Sequence, residues 1–137
     1  SVKTINTLLN IKKEKEIFAI ILRSSYCEAG IKFLTPDNFS QQLGYMNRPK
    51  GYVIKPHLHN EIKRTVFLTQ EVLFLKKGKV KVDFYDIKKN FKESTILEKG
   101  DFILLAAGGH GFEMLEQSEL IEIKQGPYCG DADKTRF

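Results

Sequence analysis

The chain has 137 residues, 42% of them hydrophobic and 28% charged, the proportions of one globular domain with a core of its own. Its longest apolar runs, at 17–22 and 102–107, fall far short of the roughly 20 residues that span a bilayer, so a membrane partner is not expected. The net charge of +5 comes from Lys and Arg scattered among acids and turn residues, without the Arg–aromatic interleaving of a nucleic-acid reader, so no nucleic-acid partner is expected either.

In chain order, 4–15 comes first. Ile5, Leu8, Leu9 and Lys12 follow the i, i+3, i+4, i+7 spacing behind Thr4 or Asn6, which predicts a short N-terminal helix. The segments 17–24, 31–35, 41–46, 52–59, 65–76, 79–85, 95–98, 102–106, 111–115 and 120–124 are rich in β-branched and aromatic residues, and Gly, Pro, Asn or Asp separates most of them. Short strands at near-regular spacing predict an all-β antiparallel sandwich or barrel. In 79–85, Val80, Val82 and Phe84 point one way while Lys79, Lys81 and Asp83 point to water. The runs 72–75 and 102–105 are instead apolar on both faces and need two covers. The N-terminal helix and strand, or a second copy in a homodimer, are the expected second cover. The tail 126–137 is rich in turn formers and is read either as a lid over the mouth or as a surface strap.

Cys27 and Cys129 lie far apart, form no C-x-x-C and follow no signal peptide, which predicts a reduced, cytoplasmic protein with both thiols half-buried.

The chemistry concentrates in the only three His. His57 and His59, two apart on a predicted strand, share a face and can converge on one ion. Glu71 heads the apolar run 72–75, where an unpaired carboxylate is costly. His110 follows the strand 102–105 and the turn Ala106-Ala107-Gly108-Gly109.

These residues fall into a pattern. Gly51, His57, His59, Glu71 and Gly78 map onto the first motif of the cupins, G-x5-H-x-H-x3,4-E-x6-G. Gly100, Ala106, Gly108 and His110 map onto the second, G-x5-P-x-G-x2-H-x3-N. The chain resembles a cupin over about half its length, from Gly51 to Met114. It departs from the pattern in the eleven residues between His59 and Glu71, in Ala106 for Pro, in a Gly108–His110 gap one residue short, and in Met114 for Asn. The runs QQLGYM, QEVLFLKKGKV, GDFILLAAGGHG and QGPY are also similar to those of small single-domain cupins met near surface-polysaccharide and nucleotide-sugar genes.

The resemblance implies a cupin-type jelly-roll barrel over the whole chain, with His57, His59, Glu71 and His110 holding a divalent transition metal. Glu61, next in the His57 and His59 alternation, competes with Glu71. Glu71 is preferred because six residues separate it from Gly78, as in the motif. Three imidazoles and a carboxylate suit Zn, Fe, Mn, Ni or Co and leave positions open for a small polar ligand. The implied function is a metal-dependent isomerase, epimerase or oxygenase acting on a sugar or nucleotide-sugar, or else a non-catalytic carbohydrate-binding module. Arg64, with its planar donor fork, and Gln41, Gln42 and Tyr45 are candidate substrate contacts. Lys55 shares the His57 face, and Glu113 is a candidate base that reads more simply as a surface residue.

Overall fold

A computed structural model describes residues 7–137, and every regular element in it is a β-strand. The strands are β1 (Leu8–Lys13), β2 (Glu16–Leu22), β3 (Gly30–Phe33), β4 (Gly44–Asn47), β5 (Glu71–Lys77), β6 (Lys79–Tyr85), β7 (Phe91–Glu98), β8 (Phe102–Leu105), β9 (Gly109–Met114) and β10 (Glu119–Lys124). A five-stranded sheet runs β1-β2-β8-β5-β10 and a three-stranded sheet runs β7-β6-β9. A separate ribbon pairs β3 with β4. All the pairings are antiparallel.

The expected N-terminal helix is absent among the described residues; positions 4–6 of that expectation lie outside them. The same residues carry a second periodicity. Leu9 and Ile11 turn to the core while Asn10 and Lys12 stay exposed, and Glu14, at φ 53°, reverses the chain so that Lys13 faces Glu16. Pairing with the apolar β2 gives this two-residue alternation a buried partner that a lone amphipathic helix would lack.

The two larger sheets face each other over one core. Ile11, Phe18, Ile21, Leu73, Leu75 and Ile103 come from the first sheet, and Val80, Val82, Phe84 and Leu97 from the second. From β5 onward the chain steps between sheets at tight corners, except at the β6–β7 hairpin, which stays within one sheet. Gly78 turns β5 into β6 at φ 102°, and an added Cβ there would lie 2.6 Å from the Gln117 carbonyl oxygen, so only Gly fits. The sheets do not close into a barrel among the described residues. β1 and β10 are edges of one sheet, β7 and β9 of the other.

The outer face of the five-stranded sheet is covered by the chain itself. Phe39 and Leu43, between β3 and β4, pack over Ile20, Val72, Leu104 and Ala106, which answers the two-sided character of 72–75 and 102–105. That cover stops short of β10, where Ile121 and Ile123 are exposed. No helix among the described residues is long and apolar enough to cross a membrane.

Candidate functional site

The register of the five-stranded sheet shows how the site arises. One inward row runs Ile11, Ala19, Leu105, Glu71, Lys124, and the next runs Leu9, Ile21, Ile103, Leu73, Glu122. Each row is apolar where the sheets are closed and ends in charged residues at the β10 edge. On the facing sheet His110 lies opposite buried Phe84 and so points inward. The two sheets thereby bring Glu71 and His110, distant in sequence, to a contact of 3.0 Å between Oε1 and Nε2, with side chains 13% and 29% exposed.

Gly108 permits this approach. At φ 71°, it passes so close to the Tyr85 carbonyl oxygen that a Cβ would sit 2.5 Å from it. Any side chain there would push the β8–β9 corner, and with it His110, off the sheet.

The hydrogen bond from His110 lowers the Glu71 carboxyl from 4.5 to about 2, against the burial that raises it. Glu122, beside it on β10, is pushed up by that neighbouring carboxylate and by its own partial burial. The contact favours the ionised form of Glu71 and disfavours ionisation of Glu122.

A cavity of about 290 Å³ opens beside the pair. Leu68, Leu105 and Ala106 form an apolar wall, and the charged lining mixes Lys124 and Lys134 with Glu16, Glu71 and Asp133. The tail reaches this mouth. Asp133 accepts a hydrogen bond from Thr69 Oγ1 at 3.0 Å, and Phe137 packs edge-on against Tyr85.

The other expected site residues lie elsewhere. His57, His59 and Glu61 sit in 48–70, a segment without helix or strand, and all three are exposed. The two imidazoles are neighbours, 5.4 Å between ring centres, and His57 Nδ1 contacts the Lys55 carbonyl oxygen at 2.9 Å. Arg64 lines a separate groove with Gln41, Gln42 and Gln125. Gln42 ties its own loop, accepting from Thr35 Oγ1 at 2.7 Å and donating to the Phe39 carbonyl at 2.8 Å. The Tyr45 ring packs edge-on against Tyr26, and its hydroxyl accepts from the Glu28 amide at 3.4 Å. Glu113 pairs across from Lys81, on the face opposite the core, and is exposed. Cys27 and Cys129 are exposed rather than half-buried.

Glu122 and Lys124 carry no sequence signal that marks them as inward-facing. In 120–124 the apolar residues Leu120, Ile121 and Ile123 suggest that Ile121 and Ile123 face the core. Pairing with β5 places them on the outer face instead and turns Glu122 and Lys124 inward, beside Glu71.

The geometry tests the metal expectation in part. Nitrogen and oxygen donors sit about 2.1 Å from a first-row ion, so two at right angles on one ion lie about 3.0 Å apart. The Glu71–His110 separation of 3.0 Å matches that spacing as well as it matches a hydrogen bond. Two donors are not a site, however. Among the described residues of one chain, no group of three or more His, Cys, Asp or Glu is placed to hold a metal ion.

No protein-family model matches the chain, and neither a curated protein nor a solved structure matches it.

Proposed function

We propose that this chain is a cupin-type jelly-roll protein of the cytoplasm that isomerises or epimerises a small sugar-like substrate at the Glu71–His110 pair, with a divalent transition metal as cofactor. The observation that carries the reading is the contact of an ionised carboxylate with an imidazole at 3.0 Å beside a cavity of about 290 Å³. Such reactions move a proton between carbons next to a carbonyl, which needs a base and an acid on one substrate. Glu71 and His110, which line the cavity from two facing sheets, are the groups this reading assigns to proton transfer. The cavity lies at the lower end of ordinary ligand-site volumes, about 300 Å³, which suits a single sugar ring or the sugar end of a nucleotide-linked one.

The test is metal analysis of protein purified without chelator and then reconstituted, followed by turnover of nucleotide-linked and free sugars with and without oxygen. About one ion per chain, together with oxygen-independent isomerisation that Glu71→Gln abolishes, is the expected result. A strict oxygen requirement would replace the isomerase with an oxygenase. A second reading is a non-catalytic carbohydrate-binding module, which needs the cavity of about 290 Å³ and its polar lining but no turnover. Tight sugar binding without loading or turnover would establish it.

A further inference from the structure

After β10 the chain stays on the domain and returns to the mouth of the cavity. Gly130, at φ 67°, opens a turn over 130–133, and the residues that follow run past His110. Asp133 and Lys134 line the cavity of about 290 Å³ that holds Glu71. They also line a second cavity of about 490 Å³, walled by Tyr85 and Phe137. Gly108 and His110 belong to both. Two cavities thus share one floor, at Gly108 and His110, and one partition, made by the tail.

The partition is fastened at two points. Thr69 Oγ1 donates to Asp133 at 3.0 Å. Further on, the Phe137 ring lies on bare backbone: a Cβ added to Gly109 would come within 2.9 Å of Phe137 Cζ, and the Tyr85 ring stands edge-on at 5.1 Å between centres. Neither hold is a buried one, since 131–137 are all exposed and Phe137 itself is 63% exposed. The other polar contacts of the segment are internal, from Arg136 to Asp131 at 3.3 Å and from the Lys134 amide to the Asp131 carbonyl at 3.2 Å. Among the described residues, the nearest backbone hydrogen bond to the rest of the domain lies upstream, from the Gln125 amide to the Gln70 carbonyl. A segment tied to itself and held to the body by two exposed contacts opens far more readily than the sheets beneath it.

We propose that residues 131–137 are a strap that closes over His110 and swings away to admit ligand, joining the two cavities into one trough. Closed, the strap leaves Glu71 facing the smaller cavity alone. Open, it lets a ligand larger than one sugar ring reach both carboxylate and imidazole, and its return shuts that ligand off from water. The part played in admitting substrate rests on the Glu71–His110 reading above; the covering of His110 does not.

The experiment measures access to each imidazole by carbethoxylation with diethyl pyrocarbonate, read residue by residue from peptide masses. His57 and His59, both exposed, serve as internal references. The wild-type chain is compared with Thr69→Val/Phe137→Ala, which unfastens both points and alters no titratable group, and with Phe137→Tyr, which keeps the ring. The Glu71 contact of His110 is common to all three and cancels. Backbone heteronuclear NOEs of 131–137 report the order of the strap. In the unfastened chain these NOEs should fall and His110 should react about tenfold faster, with His57 and His59 unchanged. Phe137→Tyr should match the wild type, and Thr69→Val alone should fall between. An unchanged His110 rate beneath a loosened tail overturns the proposal, as does a wild-type tail already as disordered as the unfastened one. If no sugar is turned over in the assay above, the functional reading falls, and the His110 rates still decide the strap.

Discussion

The two ends of the short strand β8 each carry an acid against a base, and they are built differently. At its start, Asp101 is 1% exposed and fully occupied. It accepts from Arg23 Nη1 at 2.8 Å, from the Ser24 amide at 2.9 Å and from the Glu98 amide at 2.8 Å, and Arg23 also donates to the Ile96 carbonyl at 2.6 Å. At its end, Glu71 meets His110 across the two sheets beside an open cavity. The first pair ties the turn after β2 to the turn between β7 and β8, with both carboxylate oxygens already engaged by protein donors. The second has spare capacity and a mouth. A buried ion pair is therefore not in itself a sign of function; unspent hydrogen-bonding capacity facing a cavity is.

The sharpest way to break this contrast is at the closed end. Asp101→Ala leaves a guanidinium and two buried amides without their acceptor, at a cost of about 3–5 kcal/mol, and thermal unfolding should fall by roughly 10–20 °C. Gly108→Ala comes next, because φ 71° and the Tyr85 carbonyl oxygen leave no room for a Cβ. A loss of about 1–3 kcal/mol in urea unfolding is expected, together with weakened ligand or metal binding, since the corner that carries His110 must shift.

A smaller effect reads the open end directly. The folded Glu71 carboxyl lies at about 2, below its ordinary value of 4.5, so the stabilisation it brings is complete above 4.5 and is lost as pH falls through about 2. Urea midpoints of metal-free protein between pH 5 and 2 should therefore decline more steeply in the wild type than in Glu71→Gln. The smallest effect belongs to the exposed pair Lys76–Glu119, 3.2 Å apart. Lys76→Ala should change stability by less than about 0.5 kcal/mol.

Much of this architecture was legible in the residues, and the failures are instructive. The alternation of Val80, Val82 and Phe84 marks β6 at both ends, because each apolar side chain meets a facing core. The N-terminal segment misled because Ile5, Leu8, Leu9 and Lys12 fit a helical spacing while Leu9 and Ile11 fit a strand. Only the neighbour β2 decides between them, and a neighbour is invisible in a local window. The segment 52–59 has strand composition and forms no strand, because composition marks residues that suit a sheet without supplying a neighbour to pair with. In the candidate site, Glu71 and His110 were readable as polar residues beside apolar strands. Glu122 and Lys124 were not, because the facing of β10 follows from its register with β5 rather than from its own hydrophobicity.

That register has an evolutionary consequence. Lys124, one of the charges lining the cavity, sits on an outermost strand that contributes no fully buried residue to the core. Replacing Lys124 can recast which molecules the mouth accepts while the interior is left undisturbed. A scaffold arranged in this way can diversify its ligands by editing one border, at little risk to folding.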